Sequence, residues 1–91
     1  MDWQTEITSA QERIAGHIMA TPTLQTSAFG QDIALKVEQL QHTGSFKPRG
    51  AFNTLLASDV PKAGVVAASG GNHRAAVAFA AQKLGHRARI F

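Results

Sequence analysis

The stretch Gly64-Val65-Val66-Ala67-Ala68, followed by Ser69-Gly70-Gly71-Asn72 and an apolar-striped run to Leu84, constrains the fold more than any other part of the chain. A short apolar run without polar alternation reads as a strand covered on both faces, as parallel strands are. The paired glycines end it in a tight turn. Asn72 is placed to cap a helix whose buried face would carry Ala76, Val77, Ala80, Ala81 and Leu84, with Gly85 at its C′ position. From His86 to Phe91, Arg87 and Arg89 alternate with Ala88 and Ile90, the signature of a further strand.

The upstream sequence extends this unit. Ser9 and Glu12 have capping-box spacing ahead of Ile14, His17 and Ile18, which predicts a helix from about Ser9 to Met19 that Thr21-Pro22 terminates. Ile33, Leu35 and Val37 alternate with Ala34 and Lys36 as a half-buried strand, and the polar loop Gln41-His42-Thr43-Gly44-Ser45 follows. Pro48 suits the first position of a helix to about Ala57, with Ala51, Phe52, Leu55 and Leu56 on its apolar face. The order strand, helix, strand, helix, strand predicts an α/β fold, a parallel sheet with helices on both faces. Because the last alternating segment reaches Phe91 with no covering helix after it, residues 1–91 are expected to be the N-terminal part of a longer protein.

Composition narrows the function classes. With 44% apolar and 16% charged residues, the 91-residue chain suits a small folded domain, one too small to enclose a large cavity by itself. The sequence pI is about 10.0, yet the basic residues are scattered singly with no aromatics between them, which argues against a nucleic-acid partner. His17, His42, His73 and His86 lack metal-ligand spacing and there is no cysteine, so no metal site is assigned. No apolar run approaches the ~20 residues of a membrane span, and no basic-then-apolar leader opens the chain, so a cytoplasmic setting is expected.

Two loops leave the carboxyl ends of predicted strands and enter helices, which is where open α/β sheets bind ligands. In Gly44-Ser45-Phe46-Lys47-Pro48-Arg49-Gly50, Lys47 stands between an aromatic residue and a helix-starting proline. A lysine held and partly desolvated at the positive end of a helix favours the neutral amine, which can form a Schiff base. The plainer alternative is a solvated lysine beside a core phenylalanine. In Ala68-Ser69-Gly70-Gly71-Asn72-His73, consecutive glycines and a following helix N-terminus can cradle a carboxylate or phosphate. An ordinary strand-to-helix turn reads the same residues equally well, and the pattern is not the G-x-G-x-x-G dinucleotide fingerprint.

Taken together, Thr43-Gly44-Ser45-Phe46-Lys47-Pro48-Arg49-Gly50-Ala51 and Ala68-Ser69-Gly70-Gly71-Asn72-His73 closely resemble the fold-type II pyridoxal-phosphate enzymes, and within them the threonine/serine dehydratases and serine racemases. The resemblance implies that Lys47 holds pyridoxal 5'-phosphate as a Schiff base. It implies that Phe46 packs by the pyridine ring and that Asn72 bonds the ring hydroxyl. It further implies that Ser69, Gly70, Gly71, Asn72 and His73 clasp the substrate carboxylate. The implied reaction is β-elimination from a hydroxy amino acid such as threonine or serine. The freed Lys47 amine takes the α-proton, and a 2-oxo acid and ammonia are released. A small-molecule amino-acid substrate and a homo-oligomeric parent, with no nucleic-acid or membrane partner, follow from the same resemblance.

The sequence departs from that pattern at two places. Similar racemases carry a serine where Gly70 stands, serving as acid/base opposite the lysine, so elimination is favoured over racemisation here. Arg74 stands where many relatives have a small residue, and it reads as a solvent-facing arginine, the alternative being a cation that helps hold an anionic substrate. In this family the phosphate-gripping loop and the partner of the pyridine nitrogen lie later in the chain. The 91 residues alone are therefore expected to bind the cofactor weakly and to turn over no substrate. Other expectations are racemase or other fold-type II lyase chemistry, or an inactive fragment acting as an anion-binding or interaction module.

Overall fold

A computed structural model describes all residues from Met1 to Phe91. Its elements in chain order are α1 (Trp3–Ile14), β1 (Thr23–Thr26), β2 (Ile33–Lys36), α2 (Lys47–Ala57), β3 (Val65–Ala67), α3 (Asn72–Leu84) and β4 (Ala88–Ile90). Two single 3-10 turns, Glu38–Leu40 and His42–Gly44, link β2 to α2. No helix is long and apolar enough to cross a membrane.

The expected strand–helix–strand unit is present. β3 and β4 pair in parallel with Val65 opposite Ala88, Val66 opposite Arg89 and Ala67 opposite Ile90, and α3 connects them. Ala67 joins Ala51, Phe52 and Leu55 of α2 and Ala76, Val77, Ala80 and Ala81 of α3 in one core, which Ile14 of α1 completes. Successive strand residues face opposite ways. Val66 therefore points to the other side of the pair, where it is 70% exposed. Within these residues the helices share a core with one side of the sheet only.

Three local expectations are corrected. α1 begins at Trp3 because the Asp2 side chain caps it, accepting from the Gln4 and Thr5 amides at 3.1 and 3.4 Å. Ser9 and Glu12 then fall inside the helix. It stops at Ile14 rather than Met19, since both backbone groups of Met19 are taken by the side chain of Gln41. The Ile33–Lys36 strand does not enter the parallel sheet. It pairs antiparallel with β1, a strand the sequence reading did not assign, in the register Thr23 to Lys36 and Thr26 to Ile33. With nothing stacked on this two-stranded hairpin, Leu24 and Leu35 remain exposed instead of half-buried. The third correction concerns α3, where Gly71 occupies the cap position and Asn72 is the first helical residue.

Gly64, which opens β3, has φ +96°, and a Cβ built there would lie 2.1 Å from the Arg87 carbonyl oxygen. That carbonyl accepts from the Val65 amide at 2.9 Å, so the glycine allows the close approach that starts the β3–β4 pairing. Gly64→Ala combines an unfavourable φ with a backbone clash and should cost at least about 2 kcal/mol. Urea unfolding of the variant checks this, and a midpoint equal to that of the wild type would refute it.

Candidate functional site

Lys47 is the first residue of α2, preceded by Phe46 at the cap position and followed by a buried Pro48. Phe46 offers no capping group, and the Ser45 Oγ accepts from the Lys47 amide at 3.3 Å in its place. The turn into this segment runs through Thr43 at φ 61° and Gly44 at φ 79°, a reversal that a β-branched residue seldom makes. The Lys47 Nζ lies 5.3 Å from the Phe46 ring centroid and has no hydrogen-bond or carboxylate partner. The side chain is exposed, against the partial desolvation expected of it, because Phe46 is exposed as well and covers it from one direction only.

A cleft of about 500 Å³ opens beside this lysine. Phe46, Lys47 and His73 line it together with the apolar Ala51, Leu55, Val65, Ala67 and Val77. The fold thus brings Phe46 and Lys47 of the first loop to the same cleft as His73 of the second. Ser69, Gly70, Gly71 and Asn72 lie outside its lining, in the turn that precedes and starts α3. The Ser69 Oγ accepts from the Gly71 amide at 3.4 Å, and no side chain caps α3, so its first-turn amides stay available. Arg74 is exposed, as expected.

Residues that the sequence reading passed over hold this region in place. Arg49 donates to Glu38 through a two-point fork, Nε to Oε1 at 2.6 Å and Nη2 to Oε2 at 3.0 Å. The Thr21 hydroxyl also donates to Glu38 Oε2, and the Lys36 Nζ donates to the Thr21 carbonyl. The buried Gln41 amide bonds Met19 in both directions at 2.9 Å. His42 stacks on Phe79 of α3 with ring centroids 4.7 Å apart. One signal was available for the ion pair: a cation in the first turn of a helix opposes the dipole and calls for a compensating carboxylate.

With this geometry in hand, comparison with known proteins decides the family. The model of a family described as pyridoxal-phosphate dependent enzyme matches residues 14–91. The chain belongs to that family. It is 49% identical over 74 residues to the L-threonine ammonia-lyase of Thermotoga maritima, covering 79% of this chain and 18% of that protein. To the catabolic L-threonine dehydratase of Escherichia coli it is 42% identical over 86 residues, covering 88% and 26% respectively. Among solved structures, maize serine racemase superposes with a TM-score of 0.86 at 40% identity, over 94% of this chain and 29% of that one. The chain therefore spans less than a third of the length of these relatives. The α/β class and the fold-type II resemblance stand on these matches.

The residues present suit the family's cofactor. An aldehyde-bearing aromatic ring calls for an uncommitted amine beside apolar walls, and Lys47 in the cleft provides both.

The Glu38 carboxyl is held down to about 2 from an ordinary 4.5, chiefly by the hydrogen bonds from Arg49, with Thr21 adding to them. A carboxyl depressed in the folded state stabilises fully above its unfolded value and loses that contribution as the pH falls towards its folded one. The expected loss between pH 4.5 and 2 is on the order of 1–3 kcal/mol, with screening at the partly exposed Arg49 setting the lower end. Thermal melts across this range should show a shallower acid limb for Glu38→Gln than for the wild type. An equally steep limb in the variant would assign the titration to another group.

Proposed function

We propose that these residues are the N-terminal part of the catalytic domain of a pyridoxal-phosphate-dependent ammonia-lyase that converts a hydroxy amino acid, threonine or serine, to a 2-oxo acid and ammonia. The observation that carries the reading is Lys47, an uncommitted amine lining an apolar cleft within a family whose members depend on pyridoxal phosphate. The names of the relatives, L-threonine ammonia-lyase and L-threonine dehydratase, support the reaction class. The homo-oligomeric parent rests on the family resemblance alone.

Pyridoxal phosphate, when bound, supplies an electrophilic carbon for amines and a ring that withdraws electrons from the substrate α-carbon. Lys47 would hold it through Nζ, and the same nitrogen, when free, would accept the α-proton. Phe46 would pack beside the ring, and Asn72 would bond the ring hydroxyl. Ser69, Gly70, Gly71, Asn72 and His73 orient the substrate carboxylate, which the unpaired amides and positive end of α3 favour. Gly70 carries no acid/base group to return a proton to the opposite face, and this favours elimination over racemisation.

The test is the visible spectrum after addition of pyridoxal phosphate, recorded for the full-length protein, its Lys47→Ala variant and the 91-residue chain. A cofactor–lysine band is expected in the full-length protein and not in the variant, with a weak band or none in the short chain. A band of undiminished strength in Lys47→Ala would refute the assignment. Gly70→Ser provides a second check, because a Cβ at Gly70 meets nothing within 4 Å. It should leave the melting temperature nearly unchanged, within about 0.5 kcal/mol of stability, while raising the ratio of racemisation to elimination in the full-length protein. Chiral analysis of recovered substrate measures that ratio, and an unchanged value would remove Gly70 from the argument.

A further inference from the structure

Lys47 has a fixed backbone and a free side chain. Its amine makes no hydrogen bond, so beyond the Phe46 ring 5.3 Å away, whatever orients it acts through the first turn of α2. Pro48 restrains one backbone dihedral there. Arg49, the next residue, is tied by its two-point fork to Glu38, which lies ahead of the loop leading to Lys47. Glu38 also accepts from Thr21, and Gln41 grips Met19, so the loop is pinned at two points to the segment following α1. The pair stabilises the fold and also compensates a cation that would otherwise oppose the dipole in the first helical turn. The fork further restricts orientation, since two parallel N–H···O bonds fix a plane as well as a distance.

We propose that Glu38 and Arg49 are a positioning pair for Lys47, their two-point contact holding the first turn of α2 so that the Lys47 amine is presented at the cleft. The proposal rests on the reading of Lys47 as the cofactor lysine. It assigns no contact between Glu38 or Arg49 and the cofactor.

The experiment uses the full-length protein and its E38Q, R49Q and R49K variants. Each is treated with pyridoxal phosphate, trapped with borohydride and mapped by peptide mass spectrometry. The ratio of trapping at Lys47 to that at Lys83 is the readout. The wild type should favour Lys47, and E38Q and R49Q should each lower the ratio by about threefold or more. R49K should not restore it, because an ammonium cannot form the fork. An unchanged ratio in E38Q and R49Q, or full restoration by R49K, overturns the proposal.

A wild-type protein showing no preference for Lys47 would count against the cofactor reading rather than the pair. The pair is then judged by amide hydrogen exchange. Peptides covering residues 42–52 should exchange faster in E38Q and R49Q while those covering α3 stay as in the wild type. Equal acceleration in both segments, or none, overturns the positioning role. If E38Q loses its helical circular dichroism, E38D replaces it with the same expectations, since it keeps the charge but shortens the arm that meets the fork.

Discussion

Ala76, Ala80 and Ala81 of α3 are completely buried, and Ala51, Phe52 and Leu55 of α2 share their core. Alanines on the facing surface let the two helices approach closely, and the large side chain of Phe52, 1% exposed, fills the space that remains. Phe52 meets Phe79 edge-on with centroids 6.1 Å apart and stacks on His17 at 5.4 Å, which ties the end of α1 into the same packing. Each of these helices starts with candidate site residues, Lys47 on α2 and Asn72-His73 on α3. Packing between α2 and α3 therefore sets the spacing of the two loops as well as the stability of the core. An enlarged residue at Ala76 or Ala80 would spread the loops apart even if the fold survived.

The sequence was most legible where several local rules agreed. In α3 the glycine-rich turn, the alanine stripe and Gly85 all indicate the same helix, and Gly85 ends it at φ 79° while the His86 amide donates back to the Ala81 carbonyl. In α2, Pro48 and the stripe through Ala51, Phe52 and Leu55 agree in the same way. Where two local signals competed, the reading chose wrongly: Asp2 and Ser9 are both good caps, and the continuing Ile7 to Ile14 spacing favours the earlier one. The Thr23–Thr26 strand was missed because a lone alternating tetrapeptide after a proline has no internal partner to reveal it.

The candidate site divided along similar lines. Phe46, Lys47 and His73 stand out in the sequence because they lie within contiguous motifs, and the fold brings them to one cleft. Glu38, Gln41 and Thr21 were not, because their significance is a matter of tertiary contact. Thr21 and Glu38 are 17 residues apart, and Met19 and Gln41 are 22 apart. No spacing rule links such positions, and each residue taken alone reads as loop polarity. Buried polar groups need partners, and the near-complete burial of Gln41 makes sense only once the Met19 backbone is seen to satisfy it.

Several other cations show how the lysine proposed to hold the cofactor differs from structural ones. Arg13 donates to Asn53 at 2.6 Å, Arg49 to Glu38 and Lys36 to the Thr21 carbonyl, so each is committed to holding two segments together. Lys47 and Lys83 are not committed in this way, each lying over an aromatic ring at 5.3 and 5.6 Å. Position separates these two. Lys83 is in the last turn of α3, where a positive charge stabilises the helix, whereas Lys47 opens α2, where the same charge opposes the dipole by roughly 0.3–1 kcal/mol. The free amine and the apolar cleft beside it fit the cofactor role proposed for Lys47. Arg49 is in the same unfavourable turn but is neutralised by Glu38, so of the two cations there only Lys47 keeps an amine free to react.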